Sequence, residues 1–249
     1  MKRLRLENSE RREVTEDARV EVADGAEATL VIMPRGDMSV EVFTGRGCRL
    51  SSYILQERGS KVRQTNHVGE GSVVSTCSLW LEDGGGTVLN SLEGRGAEAY
   101  DLHIFVERGE RKLHLDSILR HAERDTKGDI LVKGIVRDNA AARLDGMIKI
   151  EKNGAGADSF LSEHVMLLNP GAHASANPEL EIENNDVTSR HAASVSQIDE
   201  EKIFYLVSRG LGREEARRLI IEGFMESAID RVGDPKMRKR FAELAGGAL

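Results

Sequence analysis

A β-solenoid followed by a small helical region is the fold this sequence predicts, and three observations predict it. Short runs alternating apolar and polar residues fill the chain from about Val14 to Gln197, with no helical spacing among them. The connectors between these runs are mostly wide polar corners, not the two-residue turns of hairpins. At Asp199 the apolar period changes abruptly to that of a helix.

The runs "VEVFT", "AEAYDLHIFVE", "RKLHLDSIL", "DILVKGIV", "ARLDGMIKIE", "DSFLSEHVMLL" and "ELEIE" follow one another at roughly ten-residue spacing, as strands of a sandwich or turns of a solenoid do. The links favour the solenoid. Asn-Gly, the hairpin signal, occurs once, at Asn153-Gly154, while the other links read "ERGER", "ERDTKGD" and "VRDNAA". A solenoid turn cannot bury its own apolar face and stacks on the next. No fixed period is visible along the chain.

Residues 1–198 therefore form the β body and residues 199–249 a helical region. In the first helix Ile203, Phe204, Leu206 and Val207 make the apolar face, "DEE" suits the positive end of the dipole, and Gly210 supplies the C-terminal cap. The second, "REEARRLIIEGFMESAIDRV", places Ala216, Leu219, Ile220, Gly223 and Phe224 on one stripe. The third begins at Asp234 as cap and Pro235 at the first helical position, with Met237, Phe241 and Leu244 aligned.

Composition narrows the function. Among 249 residues, 31% are charged and only 4% aromatic, and the formal net charge is -7. Nucleic-acid binding needs a positive field or stacking platforms, and neither is present. The N-terminal "MKRLRLENSERREV" has basic residues without an apolar stretch behind them, and no later run has the length of a membrane span, so a cytoplasmic protein is expected. Cys48 and Cys77 stand far apart without CxxC spacing and read as buried small hydrophobes.

The motifs with chemical content mostly dissolve on inspection. "GRGAEA" at 94–99 has the form of a dinucleotide fingerprint, yet alternation follows it where a helix is required, so it reads as a turn. "EDGGGT" lacks the Gly-Lys-Ser/Thr ending of a phosphate loop. There is no serine-hydrolase elbow. His103, His114 and His164 lie in alternating runs beside Asp101, Asp116 and Glu163, but without ligand spacing they read as surface or hydrogen-bonded strand histidines. A polysaccharide-cleaving solenoid is expected to show aromatic platforms, and Trp80 is the single tryptophan. No catalytic residue is assigned.

From Lys133 to Phe224 the chain resembles the SufB/SufD family of iron-sulfur cluster assembly proteins, most specifically in "PELEIENNDV", "RHAASVSQIDEEKIFYLVSRG" and "REEARRLIIEGF". The resemblance also touches "VEVADGAEATLVI". It implies a right-handed parallel β-helix with C-terminal helices, two such subunits paired through their β-helices, and a SufC-like ABC ATPase docked on the helices. In SufD-like members a histidine sits at the paired interface, and His191 occupies that position here. There an imidazole is expected to offer iron a nitrogen ligand or to pass a proton.

Two departures separate this chain from SufB. Ala157, in "GADSFL", stands where SufB carries its cluster-building cysteine, and Ala192 stands where a SufB glutamate follows the histidine. An N-terminal helical domain common in longer members is expected to be missing, making this a minimal SufD-like chain. No tightly bound cofactor is expected, with a transient iron-sulfur cluster only inside the complex. Pairing, as a homodimer or with a SufB-like subunit, is expected around Val187 to Ser196, where Ala192, Ala193 and Ser194 are small. Phe204, Tyr205, Leu206, Arg209 and Phe224 are the expected contributors to ATPase docking. The competing reading is a stand-alone solenoid that binds or modifies carbohydrate, with its helices serving only to cap the stack.

Overall fold

The computed structural model describes residues 1–249. Strands β1 (Lys2–Leu6), β3 (Ala18–Val22), β5 (Met38–Thr44), β7 (Ser60–Val68), β9 (Gly84–Leu92), β11 (Lys112–His121), β13 (Ala141–Ile150) and β15 (His173–Ile182) form one eight-stranded sheet in that order. Strands β2 (Glu10–Val14), β4 (Glu27–Ile32), β6 (Arg49–Gln56), β8 (Val73–Trp80), β10 (Glu98–Glu107), β12 (Lys127–Val136), β14 (Asp158–Leu167) and β16 (Thr188–Gln197) form the other. Every pairing is parallel. Consecutive strands alternate between the sheets, so each turn of this parallel β-helix is one odd and one even strand around a shared lumen.

The missing period has a simple cause. Lys2 lies against Ala18 and Ala141 against His173, so the turn lengthens from 16 to 32 residues along the chain. Strands lengthen with it, from five residues to ten. The body also starts earlier than Val14: β1 and β2 alternate charge with apolar residues around a narrow first turn, burying little beyond Leu6 and Val14. Asn153-Gly154 makes a corner between β13 and β14, not a hairpin.

One column of corners holds left-handed backbone. Gly25, Gly47, Gly71, Gly96, Asp125 and Gly156 have φ between 59° and 75°. Each amide in this column donates to a carbonyl in the next turn, as Gly47 does to Glu70 (2.8 Å) and Asp125 to Ala155 (2.8 Å). Glycine adopts this conformation without steric cost, and aspartate is among the few residues that tolerate it. Gly96 belongs to this column, so "GRGAEA" is a turn.

Inside the lumen, alternation along each strand sends every second side chain inward. Trp80 and Phe105 are its largest fully buried side chains, and space for them comes from glycine. A Cβ on Gly86 would run into the Trp80 ring, and one on Gly134 would overlap the Phe105 ring.

Helices α1 (Glu200–Ser208), α2 (Arg213–Ile229) and α3 (Pro235–Ala248) pack on the outer face of the second sheet. Tyr53, Leu79, Leu102, Ile104, Leu131 and Ile135 present apolar side chains there, and Ile203, Met225, Phe241 and Ala245 cover them. Tyr53 meets the edge of Phe241 at 6.4 Å between centroids. The caps at Asp199 and Asp234 form as the sequence predicts: each carboxylate accepts from the amides two and three residues on. The stripe of α2 differs, because Ala216, Ile221, Met225 and Ala228 face the sheet while Leu219 and Gly223 face solvent. In α3, Ala245 and Ala248 join Met237 and Phe241 in the core, and Leu244 is half-buried. Arg11 reaches Asp234 at 3.4 Å and Arg240 reaches Glu57 at 3.0 Å, tying α3 to the early turns. The helices thus lie along the side of the solenoid, and its last turn stays uncovered.

Gly134→Ala drives a methyl group into the Phe105 ring and is expected to destabilise the fold by about 1–3 kcal/mol in denaturant unfolding. Glu107 carries a second expectation. Both its oxygens are buried without a partner, and burial, opposed by Arg111, pushes its carboxyl from 4.5 up to about 8. A raised carboxyl favours the protonated folded state, so this contribution is intact below 4.5 and is lost as pH rises to about 8. Glu107→Gln removes that loss. Above pH 8 the variant is expected to exceed the parent by up to about 5 kcal/mol, while below about pH 4.5 the two converge.

Candidate functional site

The uncovered last turn carries the first candidate surface. His191 shares a register row with Leu161, Ile130 and Asp101, all buried on the inward face of their strands. By the same parity His191 projects from the inward face of β16, but no turn stacks above it and it is exposed. Beside it, Leu180, Ile182 and Val195 are apolar side chains left in solvent. A solenoid that continued would bury them.

The two edge strands of this turn are unequally protected. β15 contains Pro178 and the charges Glu179 and Glu181, which are common devices against edge pairing. β16 reads "TSRHAASVSQ", with Arg190 as its single charge and no proline. Ala192, Ala193 and Ser194 lie within it. Ala157 sits at the corner preceding β14 and is buried, with its carbonyl accepting from Thr188 at 2.8 Å; Ala192 pairs with Ser162. Neither alanine offers a ligand atom.

The second surface is on α1 and α2. Phe204 is 74% exposed and Leu219 50%, with Tyr205 and Val207 also in solvent. The Arg209 guanidinium lies 5.2 Å over the Tyr205 ring. Of the residues expected to dock a partner, Phe204, Tyr205 and Arg209 are available. Leu206 and Phe224 are partly buried against the body, and Lys133 sits 4.6 Å over the Phe224 ring. Val207 and Leu219 complete the patch. Helical spacing alone does not expose Leu219, because a packing stripe through Leu219 and Ile220 fits that spacing as well as one through Ile221 and Met225.

The other histidines do not share a face. His103 lies in the lumen: Trp80 Nε1 donates to Ser78 Oγ at 2.7 Å, and the same hydroxyl is hydrogen-bonded to His103 Nδ1 at 2.6 Å. Burial pushes this imidazole down to about 3. Asp101, in the same lumen, accepts from Asn90 at 2.6 Å at the end of a relay from Gln64 through Asn66. His164 faces outward and meets Ser194 at 2.8 Å. His114 is on the outside of the first sheet, 2.7 Å from Asp145 and 3.3 Å from Asp116. Arg143 donates to the same Asp145 oxygen at 2.7 Å, Asn177 to its other oxygen and Thr87 to Asp116. Its acceptors are filled, so it is an ion-pair network. Cys48 donates to the Ala23 carbonyl at 3.0 Å, and burial pushes the Cys77 thiol up to about 12, so neither thiol is poised to react.

Residues 5–224 match the family model described as SUF system FeS cluster assembly, SufBD core domain. The chain belongs to the SufBD family. It is 32% identical over 170 residues to the iron-sulfur cluster assembly protein SufD of Bacillus subtilis, covering 67% of this chain and 39% of that protein. Over 242 residues it is 29% identical to an iron-sulfur cluster assembly SufBD family protein of Mycobacterium leprae, covering 89% of this chain and 61% of the relative. A SufBD family protein of Mycobacterium tuberculosis is 29% identical over 241 residues, with 89% and 60% covered. The chain thus spans about two fifths to three fifths of the length of these SufBD relatives. No helix is long and apolar enough to cross a membrane.

The α1–α2 patch separates surface from core experimentally. Phe204→Ser and Leu219→Ser remove solvent-facing side chains and are expected to change unfolding stability by less than about 0.5 kcal/mol. Ile221→Ser is the buried control on the same helix, turned to the body, and should cost about 2–4 kcal/mol in the same denaturant titration.

Proposed function

We propose that this chain is a non-catalytic scaffold subunit of a cytoplasmic SUF iron-sulfur assembly complex, pairing through the open end of its β-helix and recruiting a SufC-like ABC ATPase through α1 and α2. The observation that carries this reading is the position of the helices. They run along the side of the solenoid, so the last turn keeps an unprotected β16 edge, exposed apolar residues and His191 together. Such an edge pairs with another strand, and two-fold pairing is the commonest closed solution. A second copy or a SufB-like subunit fits that role. Iron or a nascent cluster is then cargo held transiently at the pair, with the His191 imidazole as nitrogen ligand or proton carrier, and no resident cofactor is required.

The exposed aromatic and aliphatic side chains of α1 and α2 suit docking of a protein partner. The carbohydrate reading needs the helices as an end cap and a row of aromatic platforms. Exposed aromatics amount to Tyr100, Phe204 and Tyr205, two of them on α1, which favours the scaffold.

Phe204→Asp and Leu219→Asp are expected to weaken capture of a purified SufC-type ATPase at least about tenfold. His191→Ala should retain that capture while lowering the iron and sulfide recovered on the assembled complex after anaerobic reconstitution. Wild-type capture by both aspartate variants would move the docking surface elsewhere.

A further inference from the structure

Directly beneath the uncovered turn, the lumen holds one ionisable side chain, Glu163 on β14. It is fully buried, and neither carboxylate oxygen has a hydrogen-bond partner. Its space comes from Gly146 on β13, where a Cβ would stand 2.7 Å from Glu163 Oε1. Ser117, in register with Gly146 on β11, also has an unpartnered hydroxyl. Above Glu163 in its row lies only Ala193 of β16, and above Gly146 only Pro178 of β15. A single strand layer, roughly 4.8 Å thick, therefore separates this carboxyl from water at the open end.

We infer that closure of this end by a second subunit is coupled to uptake of one proton at Glu163. The inference rests on the pairing proposed above. An ion without donors is held only by what solvation reaches it, and a partner that moves water away from β15 and β16 removes that support from the charged form. The surroundings supply no compensating cation inside the lumen. β12 contributes Val132 to the row and β10 contributes His103, which burial keeps neutral. His121, on β11, is likewise pushed down by burial, to about 4. β15 presents Pro178 and Leu180 inward, and Asp145, on the outer face of β13, adds a like charge. β16 presents His191 one row away, in solvent. Burial first, and then Asp145, already push Glu163 up to about 7 in the free chain, so its proton occupancy changes around neutral pH.

The test is sedimentation of the full chain, alone and with a SufB-type subunit, between about pH 6 and about pH 9. Association is expected to weaken with rising pH above the free-chain titration of Glu163, approaching tenfold per unit with a SufB-type subunit and about a hundredfold per unit for the chain paired with itself, where two Glu163 side chains take up protons. Glu163→Gln should lose this slope and associate about tenfold or more tightly than the parent at the alkaline end, while His191→Ala keeps the slope. Carboxyl-carbon NMR of Glu163 in the unsubstituted protein supplies a reading that does not depend on a variant folding: its titration should move to higher pH on pairing. Association that keeps its slope in Glu163→Gln, or a titration unmoved by pairing, overturns the proton coupling and leaves the pairing standing. Absence of association under every condition overturns both.

Discussion

In-register parallel stacking is the constraint on which the rest of this molecule depends. Each lumen position is repeated at every turn, so a side chain is packed by the residues above and below it in its own row before anything across the lumen touches it. A large residue in one turn must be met by a small one nearby. Phe105 answers to Gly134 in its own row, and the buried Glu163 to Gly146 across the lumen. The same constraint makes the ends special, because a row that stops leaves its last member unpacked. His191, Val195, Leu180 and Ile182 are the last members of their rows.

Much of this was legible in the sequence. Alternation with wide corners identified the body, and the change of period at Asp199 located α1 to within a residue. Caps at Asp199 and Asp234 could be read because capping is local chemistry between a carboxylate and amides two or three residues away. The turn length was not legible, since it grows along the chain and a drifting repeat leaves no fixed spacing to detect. The charged strands β1 and β2 escaped because a narrow first turn buries too few side chains to impose alternation.

The candidate sites divide along the same line. The resemblance brought out His191, and the solenoid geometry explains its setting: inward parity at a turn with nothing above it. The face of α2 turned towards the body was harder to read, because two stripes of its sequence fit a helix and only the apolar outer face of the second sheet selects Ile221 and Met225 over Leu219. Glu163 could not be distinguished from a solvent-facing glutamate by its flanks. In "SFLSEHVML" it keeps the parity of Leu161 and Val165, which is the single trace of its inward position.

Placing helices on the side of a solenoid has a cost and a consequence. The side already offered an apolar face that needed cover, so packing α2 and α3 there removes Tyr53, Leu79 and Ile104 from water. Covering the end with the same helices would have left that face bare. The chain cannot do both with three short helices, and it resolves the conflict by leaving the end open. β15 is guarded by Pro178 and two glutamates, whereas β16 is not, so the unguarded strand is also the one that bears His191. Stability of the body and exposure of the β16 edge therefore follow from one allocation of helix surface, and a change that drew α1 over the last turn would stabilise the edge at the expense of both proposed contacts.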